Sequence, residues 1–173
     1  RAFCDTAPVL ERYWAWRCGL GWIGRHTQLV IPRAGSAFFL GELMLNLPAD
    51  AYDAPFPTDR CGTCRRCIEA CPTQALEEER GLDACRCLSY LTIENRGGIP
   101  EEAAARMYPY FYGCDRCLRA CPHLRSAPPA TEPAFTPRPE LLQMEEEDWM
   151  GLDVERYRML FKGSAVKRAK YEG

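Results

Sequence analysis

The stretch CGTCRRCIEACP, residues 61–72, decides what this chain is built around. Its cysteines follow the spacing C-x2-C-x2-C-x3-C-P, which is typical of proteins that hold two [4Fe–4S] clusters. In that arrangement the first three thiolates bind one cluster, and the fourth, followed by proline, binds the other. The spacing therefore predicts a two-cluster iron–sulfur protein that draws its remaining ligands from elsewhere in the chain.

A second cysteine block, CDRCLRACP at residues 114–122, resembles the first and suggests an internal repeat. Reciprocal ligation then assigns four thiolates to each cluster. We predict the first cluster on Cys61, Cys64, Cys67 and Cys121. The second is predicted on Cys71, Cys114 and Cys117, with either Cys85 or Cys87 as the last ligand.

Zinc is the alternative cofactor, since paired C-x2-C units also suit a tetrahedral Cys4 zinc site. Zinc ribbons seldom use a third C-x2-C step that ends in C-x3-C-P, so the spacing favours iron–sulfur clusters. His26 and His123 are the only histidines, which excludes a histidine-rich metal site. We expect His123, which follows Cys121-Pro122, at the surface or beside a cluster ligand.

Composition narrows the class of protein further. The chain has 173 residues, 47% of them hydrophobic and 27% charged, and a formal net charge of −2. These values are typical of a globular protein without the basic field of a nucleic-acid coat. Eleven cysteines cannot all pair in disulfides. Cys4 and Cys18, outside the motifs, are expected to be small buried hydrophobic residues.

No targeting or membrane segment stands out. The most apolar stretch, residues 36–47, is interrupted by Gly41 and Glu42 and is too short to cross a bilayer. With no visible export signal and many thiols, we expect the reducing cytoplasm as the compartment. The first residue is Arg1 rather than methionine, so we expect a piece of a longer protein.

Secondary-structure signals before the first motif predict one helix and two strands. Val9–Arg17 should be helical and end at Gly19 and Gly21. A short strand is expected at Gln28–Ile31, a turn at Pro32–Ser36, and a buried strand or hairpin partner at Ala37–Leu45. Asp50–Asp59, with two prolines and three aspartates, should be a linker.

After the second motif, the chain changes character again. Ala127–Pro139 carries five prolines and should be an extended connector. Glu140–Gly173 is expected to be helical, with an acidic run near its start and basic residues near its end.

The order of motifs along the chain resembles the epoxyqueuosine reductase family. The similarity covers nearly the whole sequence and lies in the strings DTAPVLER (5–12), GLGWIG (19–24), FLGE (39–42), CLSYLTIE (87–94), IPE (99–101), YGCD (112–115) and FKGSA (161–165), together with the first cysteine motif and Thr73.

This resemblance implies a fold class, cofactors and a reaction. The fold would be α+β: residues 1–55 as the end of a nitroreductase-like cobalamin-binding domain, 56–130 as a two-[4Fe–4S] ferredoxin-like domain, and 131–173 as a helical extension. The reaction would be reduction of epoxyqueuosine to queuosine at the wobble position of tRNA, with electrons passing through the two clusters to cobalamin. A reduced flavodoxin- or ferredoxin-type donor would supply the electrons, and we expect a monomer.

The resemblance also assigns roles to individual residues. It selects Cys87 over Cys85 as the cluster ligand and makes Asp5 the proton donor, also in contact with cobalamin. Further cobalamin contacts would be His26, Leu29, Leu40, Ser89 and Asp115, and Arg12 would contact tRNA. Each has an ordinary structural alternative: Asp5 and Ser89 can cap helices, the two leucines can be core residues, and Asp115 and Arg12 can be solvated charges.

Two other function classes compete with this interpretation. A ferredoxin-type electron-transfer module would hold both clusters without binding a corrinoid. A reductive-dehalogenase-like protein would also combine a corrinoid with two clusters. The Thr92-Ile93-Glu94 string after Cys87 favours the tRNA enzyme.

Overall fold

The computed structural model describes residues 2–4 and 6–171 and is mostly helical with one small sheet. The chain divides into two compact units. The first comprises Arg1–Asp83 with Asp115–Pro128, and the second Ala84–Cys114 with Pro129–Gly173. The β part of the expected α+β fold is reduced, among the described residues, to a two-stranded sheet.

The first unit opens with helix α1 (Glu11–Arg17), which begins two residues later than predicted. It ends in a Schellman arrangement: Gly19 has φ of +74°, its N–H donates to the Trp16 carbonyl, and the Leu20 N–H donates to the Ala15 carbonyl. The left-handed conformation at Gly19 is the physical reason that the predicted stop is correct.

A tight antiparallel hairpin follows α1. Strand β1 (Trp22–Ile23) pairs with strand β2 (Leu29–Val30), so that Trp22 lies opposite Val30. A Cβ atom at Gly21 would lie 2.0 Å from the Val30 carbonyl oxygen, and glycine is therefore required for this close approach. The predicted strand at 28–31 is confirmed, and its partner precedes it in the chain.

The predicted strand at Ala37–Leu45 is wrong. Residues 37–47, called here the apolar segment, contain no strand and are exposed except for the half-buried Leu40. Leu43 and Phe39 are 90% and 86% exposed. Hydrophobic residues become buried only where another surface covers them, and these two side chains remain exposed in spite of their hydrophobicity.

The two cysteine motifs of the first unit lie at short helices that contact each other, α2 (Arg66–Glu69) and α5 (Arg116–Ala120). A 3₁₀ helix, Pro122–Ser126, follows α5 directly. Between the two motifs, Leu76 forms an isolated antiparallel bridge with Leu82. The contact between α2 and α5 brings the end of the second motif to the start of the first.

The second unit starts with a 3₁₀ turn, Ala84–Arg86, followed by α3 (Leu88–Ile93) and α4 (Glu101–Ala104). Leu88, Leu91 and Ala103 form its small buried core, against which Cys114 packs. The Thr92 hydroxyl donates to the Leu88 carbonyl and accepts from the Gly113 N–H. The hydrogen bond from Gly113 holds the backbone in place just before Cys114.

The predicted helical region 140–173 is divided into short elements rather than one long helix. A 3₁₀ turn at Pro133–Phe135 precedes α6 (Pro139–Leu142), α7 (Glu146–Met150), α8 (Val154–Leu160) and a 3₁₀ helix at Ala165–Arg168. New N-caps start these pieces: Glu145 and Asp148 form a capping box, and the Asp153 carboxylate accepts from the Arg156 N–H.

Candidate metal centre

Four cysteines of the first unit line one pocket. Cys67 and Cys121 are buried, and Cys61 and Cys64 are half-buried. The other residues of the pocket wall are Arg25, His26, Pro122 and His123. These are the four thiols that the sequence assigns to the first cluster, including Cys121 from the second motif.

Local backbone structure positions each thiol. The Cys64 N–H donates to the Cys61 carbonyl across a tight turn (3.0 Å), and Cys67 lies in α2. Cys121 follows α5 with extended backbone angles (φ −70°, ψ 123°), immediately before Pro122. Proline at the first position of the 3₁₀ helix sacrifices no hydrogen bond, because that N–H would be unpaired anyway.

The loop that carries Cys61 is held from both sides. The Asp59 carboxylate accepts from the Cys61 N–H (2.8 Å) and pairs with Arg80, which also donates to the Ile23 carbonyl (2.9 Å). Arg25 donates to the Gly62 carbonyl (3.1 Å). Burial raises the pKa of Asp59, but hydrogen bonds from Cys61 and Arg80 outweigh it and hold that pKa below its usual value.

Burial also sets the protonation of the pocket. It raises the pKa of the Cys67 and Cys121 thiols, so metal binding must displace their protons. Burial lowers the pKa of His26 to about 4. The His26 Nδ1 accepts from the Gln28 N–H (3.2 Å), so the neutral ring carries its proton on Nε2.

Two buried donors of the pocket wall have no hydrogen-bond partner among the described residues: Nε2 of His26 and Nε of Arg25. A buried donor left unpaired costs about 1–3 kcal/mol. A bound group with acceptor atoms, such as the sulfurs of a cluster, would remove that cost. The Arg25 charge would also stabilise a negatively charged cluster.

The thiols surround the pocket rather than meet at one point. Among the described residues, no three His, Cys, Asp or Glu side chains are placed to hold a single metal ion. A [4Fe–4S] cubane takes one thiolate on each of its four irons, so ligands arranged around a pocket suit it. The donor set therefore fits the first cluster.

The thiols predicted for the second cluster are distributed over both units, two in each. In the first unit, the Cys71 Sγ accepts from the Ala75 N–H (3.2 Å), and Cys117 lies in α5. In the second unit, Cys87 is the N-cap of α3, and Cys114 lies against the core of that unit. Cys85, in the preceding 3₁₀ turn, is exposed.

Comparison with known proteins identifies the motif and the family. Residues 60–123 match the family model of the 4Fe-4S double cluster binding domain. An epoxyqueuosine reductase from Cellulophaga algicola is 44% identical over the full chain, which covers 56% of that protein. The Escherichia coli epoxyqueuosine reductase is 43% identical over 97% of the chain, which covers 44% of its length.

Solved structures of epoxyqueuosine reductases are similar to this chain as well. A selenomethionine-labelled epoxyqueuosine reductase superposes with a TM-score of 0.84 at 30% identity, over 98% of this chain and 44% of the other. An epoxyqueuosine reductase solved with an epoxyqueuosine-modified tRNA-Tyr stem loop gives 0.83 at 29% identity, over 98% and 46%. The chain is an epoxyqueuosine reductase homologue. It spans about half the length of the relatives that it matches.

The domain match bears on the choice of metal. Residues 60–123 are similar to the 4Fe-4S double cluster binding domain, and the match includes all eight predicted ligands, from Cys61 to Cys121. This similarity favours iron–sulfur clusters over zinc. None of the eleven cysteines forms a disulfide.

The expectation for the two cysteines outside the motifs is wrong. Cys4 and Cys18 are both exposed rather than buried. Cys18 is the C-cap of α1 and lines an open apolar cavity of about 480 Å³ with Trp14, Leu20 and Leu40. Neither thiol is therefore part of the buried core.

The residues predicted from the resemblance to contact cobalamin lie in several places. Asp5 is outside the described residues. In the first unit, His26 is in the cysteine pocket, Leu29 is buried in β2, and Leu40 lines the apolar cavity instead. Asp115 is the N-cap residue of α5, with φ of +54°, and in the second unit Ser89 is half-buried in α3.

Arg12, the residue predicted to bind tRNA, is hydrogen-bonded to the backbone of the protein. The Arg12 guanidinium donates to the Thr27 carbonyl (2.6 Å) and lines a cavity of about 300 Å³ together with Tyr13 and Ile23.

Three of the basic residues expected near the end of the chain line one cavity of the second unit. It measures about 520 Å³ and contains all three lysines of the chain, which are Lys162, Lys167 and Lys170. Arg158 and the rings of Tyr157, Phe161 and Tyr171 also line it. The basic side chains are visible in the sequence, in which no lysine occurs before residue 162, whereas the aromatic rings beside them were not predicted.

No helix among the described residues is long and apolar enough to cross a membrane.

Proposed function

We propose that the protein to which this chain belongs reduces epoxyqueuosine in tRNA to queuosine. The conversion of the epoxide to an alkene consumes two electrons and two protons and releases one water. The observation that carries the proposal is the four-thiol pocket, found in a chain that aligns from end to end with epoxyqueuosine reductases. The clusters and a cobalamin, when bound, supply the redox chemistry.

The chain's own contribution to electron transfer is its cysteines. Cys61, Cys64, Cys67 and Cys121 hold the first cluster, and Cys71, Cys87, Cys114 and Cys117 hold the second. A two-cluster relay needs an external reductant, for which a flavodoxin- or ferredoxin-type protein is suited. Because thiolate ligands are oxidised easily, the reducing cytoplasm is the proposed compartment, and we propose a monomer.

The proposal also includes the limits of three domains. Residues 1–55 belong to the cobalamin-binding domain, 56–130 to the ferredoxin-like domain and 131–173 to a helical extension. Within the first of these, His26 and Leu29 contact the corrin through one hairpin, and Leu40 through the apolar cavity. Ser89 and Asp115 contact it from the cluster domain.

Asp5 is the proposed proton donor to the opening epoxide. A Bacillus subtilis epoxyqueuosine reductase solved with its catalytic aspartate loop swung out of the active site supports an aspartate in this role. Burial under a bound corrin would keep such a carboxyl protonated near neutral pH, because desolvation disfavours the charged form.

Recognition of tRNA is assigned to cationic side chains. Arg12 is one of them, and the basic cavity of the second unit offers four more beside three aromatic rings. Lysine and arginine neutralise backbone phosphates, while aromatic faces stack on unpaired bases. A relative solved with a modified tRNA stem loop supports this class of partner.

The deciding experiment is anaerobic EPR of the iron-reconstituted, full-length protein titrated with cob(II)alamin. We expect reducible cluster signals together with a cobalt signal that changes on binding, followed by conversion of epoxyqueuosine-containing tRNA. Clusters without any corrinoid binding would leave the protein as a ferredoxin-type electron carrier and refute the proposal.

Asp5→Asn in the full-length protein should abolish conversion of epoxyqueuosine while the iron content stays at the level of the unmodified protein. An amide at this position cannot deliver the proton. Turnover assays on modified tRNA check this prediction, with Asp50→Asn, in the exposed linker, as the matched control. Normal turnover of Asp5→Asn would remove Asp5 from the mechanism.

Lys167→Gln should weaken binding of the tRNA stem loop and reduce the slope of log K against log salt by about 0.7–0.9, the value for one phosphate contact. Arg106→Gln, in the same unit but paired with Glu102, changes the net charge equally and is the control. An unchanged slope for Lys167→Gln would exclude the basic cavity from the RNA interface.

A further inference from the structure

A side-chain hydrogen bond reaches one ligand of the first cluster. The indole N–H of Trp22 donates to the Sγ of Cys61 at an N–S distance of 3.4 Å. Trp22 is only 3% exposed, so water does not compete for this bond. The indole has no other polar atom, and Cys61 is therefore the one partner that satisfies the buried donor.

The indole is held rigidly in this position by the fold. Trp22 pairs with Val30 in the hairpin, and its ring packs on Phe56 with centroids 5.7 Å apart. The ring of His123 meets it edge-on at 4.9 Å. Because these contacts come from three separate parts of the first unit, the N–H keeps its direction whether or not the cluster is reduced.

We propose that the Trp22 indole N–H raises the reduction potential of the first cluster through its bond to the Cys61 thiolate. Reduction adds one negative charge that is shared with the ligand sulfurs, and a fixed donor stabilises the more negative state. The inference rests on the proposed function only in requiring that the four-thiol pocket holds the first cluster. Trp22 is thus a positioning and tuning residue, without contact to the substrate.

The second cluster provides an internal reference. Its predicted ligand Cys71 accepts its N–H bond from the backbone of Ala75, which side-chain substitution does not remove. A change at Trp22 should therefore move the potential of one cluster and leave the other in place, whereas a general loosening of the protein would move both.

The test is an anaerobic EPR-monitored redox titration of the cluster-loaded, full-length protein and its Trp22→Phe variant. Phenylalanine keeps the aromatic packing and removes the donor. We expect full iron content and a reduction potential of the first cluster that is ~59 mV lower. This shift corresponds to a tenfold smaller equilibrium constant for its one-electron reduction. Trp14→Phe, at a half-exposed position of α1 whose cavity contains none of the predicted cluster ligands, is the matched control and should change neither potential.

The outcomes separate the inference from the proposed function. Full iron content with an unchanged first potential overturns the role of Trp22 and leaves the cluster assignment intact. An unmodified protein without a first cluster overturns both. If Trp22→Phe loses iron, pulsed EPR of the unmodified protein labelled with ¹⁵N at the indoles decides: a hyperfine coupling to the reduced first cluster supports the bond, and its absence refutes it.

Discussion

Two consecutive stretches of the first unit have similar residues and opposite environments. The hairpin region (residues 21–36) buries Trp22, Leu29 and Val30, which are 3%, 5% and 0% exposed. The apolar segment that follows exposes Phe39 and Leu43 almost completely. The hairpin packs on α1, on Phe56 and on the cysteine loop, while residues 40–44 of the apolar segment line an open cavity with Trp14 and Leu20. Burial therefore depends on a complementary surface more than on the hydrophobicity of a stretch.

The largest expected effect comes from removing a thiol of the pocket that Arg25 and His26 of the hairpin region also line. Cys121→Ser should destabilise the first cluster and leave the second, so that bound iron falls by up to about half, because the first cubane loses one of its four thiolate ligands. Iron analysis with EPR of both clusters measures this. The test distinguishes crossed ligation from ligation in motif order, because Cys121 lies in the second motif and is predicted to bind the first cluster.

Cys85→Ser is the matched control, since Cys85 is exposed and lies two residues before a predicted ligand. It should retain both clusters. If Cys121→Ser instead removed the second cluster alone, ligation would follow the order of the motifs, and the crossed arrangement would be wrong.

A matched pair of leucines compares the two stretches directly. Leu29→Ala, at a 5% exposed site of β2, should destabilise the cluster-loaded protein by about 2–5 kcal/mol. Leu43→Ala, at a 90% exposed site, should stay within about 0.5 kcal/mol. Anaerobic thermal unfolding checks both, and 1 kcal/mol corresponds to roughly 2–4 °C for a chain of this size.

The pair also tests whether the apolar segment is covered in the full-length protein. A loss at Leu43 comparable to that at Leu29, seen in the full-length protein and not in residues 1–173, would mean that another part of the protein packs on the segment. Equal effects of the two substitutions within residues 1–173 would contradict the difference in burial.

The sequence was most informative where covalent chemistry constrains spacing. That Cys61, Cys64 and Cys67 line one pocket could be predicted because C-x2-C-x2-C-x3-C-P specifies a short turn and helix that bring these thiols together. The helix stop at Gly19 and the strand at residues 28–31 were predictable from local conformational preferences. All these signals lie within a few residues of the position that they determine.

Features that depend on distant partners could not be predicted in this way. The strand predicted at Ala37–Leu45 was wrong because a pairing partner has to be supplied by another part of the molecule. The Trp22–Cys61 bond joins residues that are 39 positions apart and depends on how the hairpin packs on the cysteine loop. The buried positions predicted for Cys4 and Cys18 failed for the same reason as the strand.

The smallest expected effect concerns the brace on the cysteine loop. Asp59→Ala removes the acceptor of the Cys61 N–H and the partner of Arg80, which should cost about 1 kcal/mol and speed loss of iron from the first cluster to a chelator. Asp59→Asn keeps an acceptor oxygen for the Cys61 N–H, so its rate of iron loss should lie between those of the unmodified protein and Asp59→Ala. Equal iron loss from Asp59→Ala and the unmodified protein would show that the loop is held by Arg25 and the cluster alone.

The pH dependence of this brace has a definite sign. The folded pKa of Asp59 lies below the unfolded value of about 3.9, so the carboxylate stabilises the folded protein above that value and loses its effect as the pH falls through the folded pKa. Between pH 7 and 5 the difference in iron loss between Asp59→Ala and the unmodified protein should therefore be constant. A difference that disappeared already at pH 5 would mean that Asp59 is not ionised in the brace, and the Arg80 pair could not then be what holds the loop.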